Sequence, residues 1–182
     1  LEKIGSVGKP PTKKTAVRIV GPDGESVPNG VVGEIIVKGP QTMTGYLRNP
    51  QETAHALRDG WLFTGDLGRL DDEGFLYIVD RQKDMLIRGG ENVYPVEVEE
   101  VLFQMPAVLE AAVVGVPHPI YGEVPKAYIC LKEGQTLTVE ELTAHCVERL
   151  AKYKIPVEME LMDALPRNAS GKVLKHVLRS ST

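Results

Sequence analysis

The spacing of apolar residues changes about halfway along the chain. After residue 95, Val98, Val101 and Leu102 recur at helical spacing and glutamates fill the positions between them, which predicts a helix over 96–104. The same reasoning predicts strands over 108–116, 124–132 and 157–162, and helices over 138–152 and 173–179. This order of elements predicts a small α+β domain with a three-stranded sheet and flanking helices.

The first half of the chain has the pattern of short strands separated by turns. Alternating or continuous apolar runs predict strands over 15–20, 34–38, 62–63 and 75–79. A helix is expected to begin after Asn49, because Asn is a good N-cap and Pro50 suits the first helical position. This half is therefore predicted to be a β-rich unit that contains one short helix.

Composition and charge exclude several classes of function. The chain has 182 residues, 42% of them hydrophobic and 25% charged, and its net charge is −4. The charge is spread evenly along the chain, so no basic half suggests a nucleic-acid partner. Its apolar runs are too short for a transmembrane helix, and its first residues do not resemble a signal peptide.

The sequence contains two cysteines, Cys130 and Cys146. Cys130 lies in an apolar run typical of a strand, and Cys146 lies on the apolar side of a predicted helix. These positions favour two buried thiols over a disulfide or a metal site. A cytoplasmic protein is the simplest interpretation of this cysteine usage.

Residues 80–95 read DRQKDMLIRGGENVYP and join the two halves. The segment opens with charged and polar residues, continues with a short apolar run, and ends with a glycine pair and a proline. Charged residues followed by a glycine turn are more typical of a hinge beside a polar ligand than of a core element.

Together with the helix that follows, this segment resembles the junction between the large and small domains of adenylate-forming enzymes. That family includes acyl-CoA synthetases, adenylation domains and luciferases. The segment GWLFTGD at 60–66 resembles the family's ribose-binding motif, and PRNASGK at 166–172 resembles the loop that carries its catalytic lysine. The three motifs occur in the order that the family has, and the resemblance covers nearly the whole chain.

The resemblance implies two parts. Residues 1–82 would form the β-rich end of the large AMP-binding domain, a distorted barrel, and residues 83–182 would form a mobile C-terminal domain with its hinge near Lys83. The chain begins without an initiator Met. We expect it to be the C-terminal part of a longer enzyme, whose N-terminal domain would carry the phosphate loop, the acid pocket and the Mg²⁺ ligand.

The resemblance also implies a role for particular residues. Asp66 and Arg81 would hold the ribose of ATP or AMP. Gly89 and Gly90 would lie against the pantetheine arm of CoA, and Lys172 would stabilise the acyl-phosphate bond as it forms. No metal site is assigned within the chain.

Each of these residues also has an ordinary structural interpretation. Asp66 would suit a turn at the end of a strand, Gly89-Gly90 a simple hairpin, and Lys83 a solvated linker. Lys172 could belong to a Ser-Gly turn before a basic helix that contains Lys175 and Arg179. We assign no role to His118 and Tyr121, which lie in a proline-rich loop.

The sequence therefore predicts part of an ATP-dependent acyl-CoA synthetase that joins a carboxylic acid to CoA through an acyl-adenylate. A fatty acid is the expected substrate, on overall resemblance alone, and the isolated chain is expected to be inactive. Two alternatives stay open: an adenylation domain that loads a carrier protein, and a non-catalytic interaction fragment. The sequence gives no indication of the oligomeric state.

Overall fold

The computed structural model describes residues 3–180, and the chain divides into two compact units between Lys83 and Asp84. Within these residues, no helix is long and apolar enough to cross a membrane.

The first unit is built on a curled five-stranded sheet. Its elements are β1 (Ala16–Val20), β2 (Gly33–Lys38), α1 (Pro50–Ala56), β3 (Leu57–Arg58), β4 (Trp61–Leu70) and β5 (Leu76–Arg81). The strand order is β1-β2-β4-β3, and β5 also pairs with β4. All of these pairings are antiparallel. A distorted barrel was predicted for this part of the chain. Over the described residues, the structure shows it as this curled sheet.

Helix α1 begins as its sequence predicts. The side chain of Asn49 accepts a hydrogen bond of 3.1 Å from the backbone N–H of Glu52, and Pro50 occupies the first turn. Asn49 therefore satisfies a backbone donor that has no partner inside the helix.

The second unit has a mixed sheet with helices. Its elements are β6 (Leu86–Arg88), β7 (Glu91–Val93), α2 (Pro95–Phe103), β8 (Val108–His118), β9 (Gly122–Leu131), α3 (Val139–Arg149), β10 (Glu158–Leu161) and α4 (Lys175–Ser180). The strand order is β10-β9-β6-β7, and β8 pairs with β9 along its whole length. Strand β10 runs parallel to β9, as a crossover through α3 requires.

This sheet is buried on both faces. One face packs Leu86 and Ile129 against Val98 and Leu102 of α2 and Leu142 of α3. The backbone alternation of β8 and β9 sends their other side chains to the opposite face. There Val114 and Tyr128 pack against Leu165 and against Leu178 of α4. Helix α4 and the segment before it are thus part of the fold and cover the second face.

The two cysteines lie in these two cores and form no disulfide. Cys146 packs on the face covered by α2 and α3, and Cys130 packs on the face covered by α4. The prediction of two buried thiols is confirmed.

Two sequence predictions need correction. The predicted sheet of the second unit had three strands, and the structure adds the short hairpin β6–β7, which pairs with β9 through Arg88 and Gly122. The strand predicted over 62–63 is the ten-residue β4. Its continuation was missed because Gly65 and Asp66 are typical of turns, whereas here they belong to an irregularity inside the strand.

Candidate functional site

The Thr-Gly-Asp segment of β4 is a bulge. Phe63 pairs with Ile36 and Leu67 pairs with Glu34, so three residues of β4 lie opposite the single residue Ile35. Gly65 has φ of +71°, a backbone conformation that side-chain-bearing residues rarely adopt. A bulge re-aims the side chains around it, and here it sets the direction of the Asp66 carboxylate.

Three hydrogen bonds hold this bulge in shape. The hydroxyl of Thr64 donates to the carbonyl of Ile35 at 2.8 Å and accepts from the backbone N–H of Asp66 at 3.1 Å. The carboxylate of Glu34 accepts from the backbone N–H of Gly65 at 3.0 Å. Glu34 is a supporting residue that the sequence analysis missed, because it lies 31 positions before Gly65 and in a different strand.

The structure brings the two predicted ribose-binding residues together. Asp66 and Arg81 are cross-strand partners on β4 and β5, and Arg81 Nε lies 3.2 Å from Asp66 Oδ1. Both side chains are partly exposed, 33% for Asp66 and 49% for Arg81. A ligand can therefore reach a carboxylate, which accepts hydrogen bonds from two neighbouring hydroxyls, beside a guanidinium donor.

Gly89 and Gly90 form the two-residue turn of the β6–β7 hairpin. Their φ angles are +59° and +93°. Positive φ at both central positions is typical of the type I′ turns that match the twist of a hairpin. Both glycines are exposed, so the turn presents backbone rather than side chains to solvent.

The loop between β8 and β9 supports this turn. The backbone N–H of Gly89 donates to the carbonyl of Tyr121 at 2.9 Å, and the Tyr121 ring stacks on the ring of His118 with centroids 5.1 Å apart. His118 Nδ1 accepts from the backbone N–H groups of Ile120 and Tyr121. His118 and Tyr121, to which we assigned no role, thus shape the loop on which the glycine turn rests.

Arg88 fixes the same hairpin from the other side. Its guanidinium lies over the Tyr121 ring, 5.4 Å from the centroid, and donates to the carbonyls of Tyr153 and Ile155 at 2.9 and 3.2 Å. Together with Tyr121, these contacts hold the hairpin between two segments that are distant in sequence.

Lys172 lies in a tight loop that Asn168 closes. The side-chain oxygen of Asn168 accepts from the backbone N–H of Ser170, the hydroxyl of Ser170 and the backbone N–H of Lys172, at 3.0, 2.8 and 2.9 Å. Gly171 has φ of +83° and donates its N–H to the carbonyl of Asn168. The backbone of Lys172 is therefore fixed, while its side chain is exposed.

Two ion pairs attach the residues on either side of this loop to the rest of the unit. Before the loop, the guanidinium of Arg167 donates to the carboxylate of Glu110 in β8. This hydrogen bond raises the pKa of Arg167 above its usual value. After the loop, Lys175 Nζ lies 2.8 Å from the carboxylate of Glu99 in α2.

The glycine turn and the lysine loop are attached at opposite ends of one strand pair. The turn contacts the end where His118 of β8 pairs with Gly122 of β9, and the loop contacts β8 at Glu110. From Glu110 to His118 a strand spans roughly 26 Å, at about 3.3 Å per residue. The two loops are thus too far apart within this unit to contact one small reacting group together.

Lys83 lies in a turn between β5 and β6, at the boundary of the two units, and its side chain is exposed. A change of backbone angles at Lys83 would turn one unit relative to the other, which is the hinge role predicted for it. That role stays a prediction.

Metal ligands are not grouped in the described part of the chain, where no three His, Cys, Asp or Glu side chains are arranged to hold an ion.

Among the described carboxyl groups, the pKa of Asp71 is shifted most. It is lowered to about 2 by the hydrogen bond from Lys3 and by backbone donors at Phe75 and Glu73. The Asp71 carboxylate closes the turn between β4 and β5 through these backbone donors, and Lys3 neutralises its charge.

Two family models match the chain. The AMP-binding enzyme family matches residues 1–47, and the AMP-binding enzyme C-terminal domain matches residues 97–172. The chain belongs to the AMP-binding enzyme family. The first match contains none of the three motifs described above. The second match contains the PRNASGK motif at residues 166–172.

Curated relatives of this AMP-binding chain are named as CoA ligases. It is 49% identical to the feruloyl-CoA synthase of Amycolatopsis sp. over 98% of its length, and 49% identical to the 2-succinylbenzoate–CoA ligase of Geobacillus sp. strain WCH70 over 98%. The chain spans 36% of the length of each relative.

A solved structure of the family has the same fold. The o-succinylbenzoate CoA synthetase of Bacillus subtilis, in complex with its acyl-adenylate intermediate, matches with a TM-score of 0.91 and 47% identity. The match covers 97% of this chain and 36% of that protein. The mixed α+β fold class predicted from the sequence is confirmed.

Proposed function

We propose that the full-length protein is an AMP-forming acid–thiol ligase, which activates a carboxylic acid with ATP and passes the acyl group to CoA. The observation that carries the proposal is the extended similarity to a CoA synthetase whose structure holds an acyl-adenylate. Because the chain spans 36% of that protein, activity, substrates and partners belong to the proposal.

In the first half-reaction the carboxylate attacks the α-phosphorus of ATP and pyrophosphate leaves, giving the acyl-adenylate. We assign Asp66 and Arg81 to the ribose, because an accessible carboxylate and a guanidinium stand side by side on neighbouring strands. We assign Lys172 to the negative charge that develops between carboxylate and phosphate, since it is an exposed cation on a fixed backbone.

In the second half-reaction the thiol of CoA attacks the acyl carbon and AMP leaves. We assign the Gly89-Gly90 turn to the pantetheine arm, because a turn without side chains lets a narrow ligand lie close to the backbone. The separation between this turn and the lysine loop supports a change of orientation between the two steps, for which Lys83 is the proposed hinge. Mg²⁺ would accompany ATP, with its ligand outside this chain.

The class of acid is a separate part of the proposal. The relatives named above act, by their names, on ferulate and 2-succinylbenzoate, which are aryl acids. These names give no support to the fatty acid expected from overall resemblance. We therefore propose an aryl-substituted acid first and retain the fatty acid as the alternative.

Acid-dependent exchange of pyrophosphate into ATP tests the proposal. The full-length enzyme should catalyse exchange with at least one aryl acid in a panel that also contains fatty acids of increasing length. Exchange with fatty acids alone would show that the substrate is a fatty acid. Exchange with no acid would contradict the assigned activity.

The 182-residue chain should give no exchange with any acid. It holds the proposed lysine loop but not the expected phosphate loop and acid pocket, and positioning supplies much of the catalysis in such a transfer. Exchange by the isolated chain would show that these 182 residues suffice. A carrier-loading adenylation domain would instead support exchange and transfer the acyl group to a carrier protein but not to CoA.

A further inference from the structure

The carboxylate of Glu99 joins three parts of the second unit. Glu99 Oε1 accepts from the backbone N–H of Val113 in β8 at 2.7 Å and also lies 2.8 Å from Lys175 Nζ at the start of α4. Helix α2, which carries Glu99, and helix α4 cover opposite faces of the sheet. The ion pair therefore connects the two helical layers around the edge of β8.

This link is partly shielded from water. The side chains of Glu99 and Lys175 are 14% and 19% exposed. Ion pairs at exposed sites contribute little, but breaking a shielded pair by removing one partner is costly because the other charge is left uncompensated. The Glu99–Lys175 pair is thus placed to hold α4 firmly.

Lys175 stands three positions after Lys172, and the backbone between them is tied back to the loop. The N–H of Leu174 donates to the carbonyl of Pro166 at 2.8 Å, and Arg167 and Val173 form a bridge. An extended chain covers at most about 3.6 Å per residue. The Cα of Lys172 therefore lies within roughly 11 Å of the anchored Cα of Lys175. These backbone contacts couple the segment that leads to Lys175 to the lysine loop.

We propose that Glu99 is a positioning residue for Lys172, acting through Lys175. It does not touch the reacting groups. It fixes the C-terminal side of the lysine loop, as Arg167 and Glu110 fix the N-terminal side. The inference rests on the proposed function of Lys172 for its catalytic consequence, but its structural part can be measured without any activity.

The test substitution is Glu99→Gln. The amide oxygen still accepts from the Val113 N–H, but the charge that holds Lys175 is lost. Glu97→Gln is the matched control. Glu97 lies on the same helix and pairs with Lys154 at 2.7 Å, away from the lysine loop.

The structural readout is amide hydrogen exchange in the 182-residue chain, at the hydrogen-bonded N–H groups of Gly171, Lys172 and Leu174. Glu99→Gln should speed exchange at these amides about tenfold or more, while Glu97→Gln leaves them unchanged. Lys175→Gln should reproduce the effect, and the double variant should add little to either single one. Unchanged loop exchange in Glu99→Gln, or fully additive effects in the double variant, would overturn the inference.

The catalytic readout uses the full-length enzyme. Glu99→Gln should lower kcat for adenylation on the order of tenfold, with KM for ATP and acid little changed, and should spare thioester formation from preformed acyl-adenylate. Faster loop exchange with normal adenylation would overturn the catalytic part of the inference, because it would show that adenylation does not depend on the link at Glu99. Equal losses in both half-reactions would show that Glu99 supports the whole unit and does not position Lys172.

Discussion

Arg81 Nε lies 3.2 Å from the carboxylate of Asp66, directly across the β4–β5 ladder. Because both side chains are partly exposed, this ion pair stabilises the fold by at most about 1 kcal/mol. Its contribution to stability is therefore small, and the role proposed for the pair is to bind the ribose of the nucleotide.

The substitution Asp66→Asn should therefore separate binding from folding. In the full-length enzyme it should weaken ATP binding about 10- to 100-fold, because a charged hydrogen-bond acceptor for two hydroxyls is lost. The melting temperature should change little. Calorimetric titration with ATP measures the first effect, and Asp72→Asn, at an exposed turn position of the same unit, is the control. Normal ATP affinity in Asp66→Asn would contradict the ribose assignment.

Lys172→Ala should damage one half-reaction selectively. We expect adenylation to fall ~100-fold or more, since a well-placed donor to the developing charge contributes on the order of 3 kcal/mol. Thioester formation from preformed acyl-adenylate should be nearly unchanged. Single-turnover assays of each step distinguish the two, with Lys14→Ala as an exposed-lysine control. Equal losses in the two steps would indicate a structural role for Lys172.

Gly90→Ala should damage the other half-reaction. A side chain at φ of +93° is strained, which should cost about 1–2 kcal/mol of unfolding free energy and distort the turn. Gly134, at φ of +71° in a turn elsewhere in the same unit, provides a matched control. Gly134→Ala should lower stability similarly in urea titrations but leave the CoA-dependent step intact. If both variants slow that step equally, the loss comes from stability and not from the turn.

Lys83→Pro tests the hinge. Proline fixes φ near about −65° and removes a backbone donor, so it should trap one orientation and impair one half-reaction far more than the other. Lys83→Ala, which keeps the backbone free, should behave like the wild type in both steps. Near wild-type rates in the proline variant would place the hinge at another residue.

The thiol of Cys146 predicts a pH dependence of stability. Burial raises its pKa to about 11 from a usual value near 9. The folded state holds this proton more tightly than the unfolded state does. Its contribution is therefore complete below about pH 9 and is lost as the pH rises toward 11.

Urea titrations from pH 8 to 11 measure this loss, which should amount to a few kcal/mol in the wild type. The Cys146→Ala variant should be less stable at pH 8, because a buried side chain is truncated, but should show a flatter decline. Parallel declines would mean that other groups cause the pH dependence.

Local patterns predicted most of the fold. The cap at Asn49 and the apolar spacing of Val98, Val101 and Leu102 identified helices within a few residues of their ends. These signals act over one or two turns of chain, so they are visible in the sequence. The bulge in β4 was not visible in the sequence, because Gly65 and Asp66 are as common in turns as in irregular strands.

The supports of the candidate site were beyond local reasoning. Glu34, Glu99 and Glu110 each look like ordinary surface glutamates in their strands or helix. Each gains its role from a partner brought close by folding, such as Gly65 for Glu34 and Arg167 for Glu110. The motifs themselves were recognised by resemblance, whereas the side chains that hold them had no pattern of their own.

The hydrogen bond from the Val113 N–H to Glu99 has a consequence for self-association. Among the described strands, β8 pairs with β9 on one side only, and it is long and largely apolar. Another chain can add a strand to an unpaired edge of this kind. The glutamate occupies a backbone donor near the middle of that edge, and its ion pair with Lys175 places charge there. The same carboxylate that ties the helices together thus leaves this edge with one fewer backbone donor for an incoming strand.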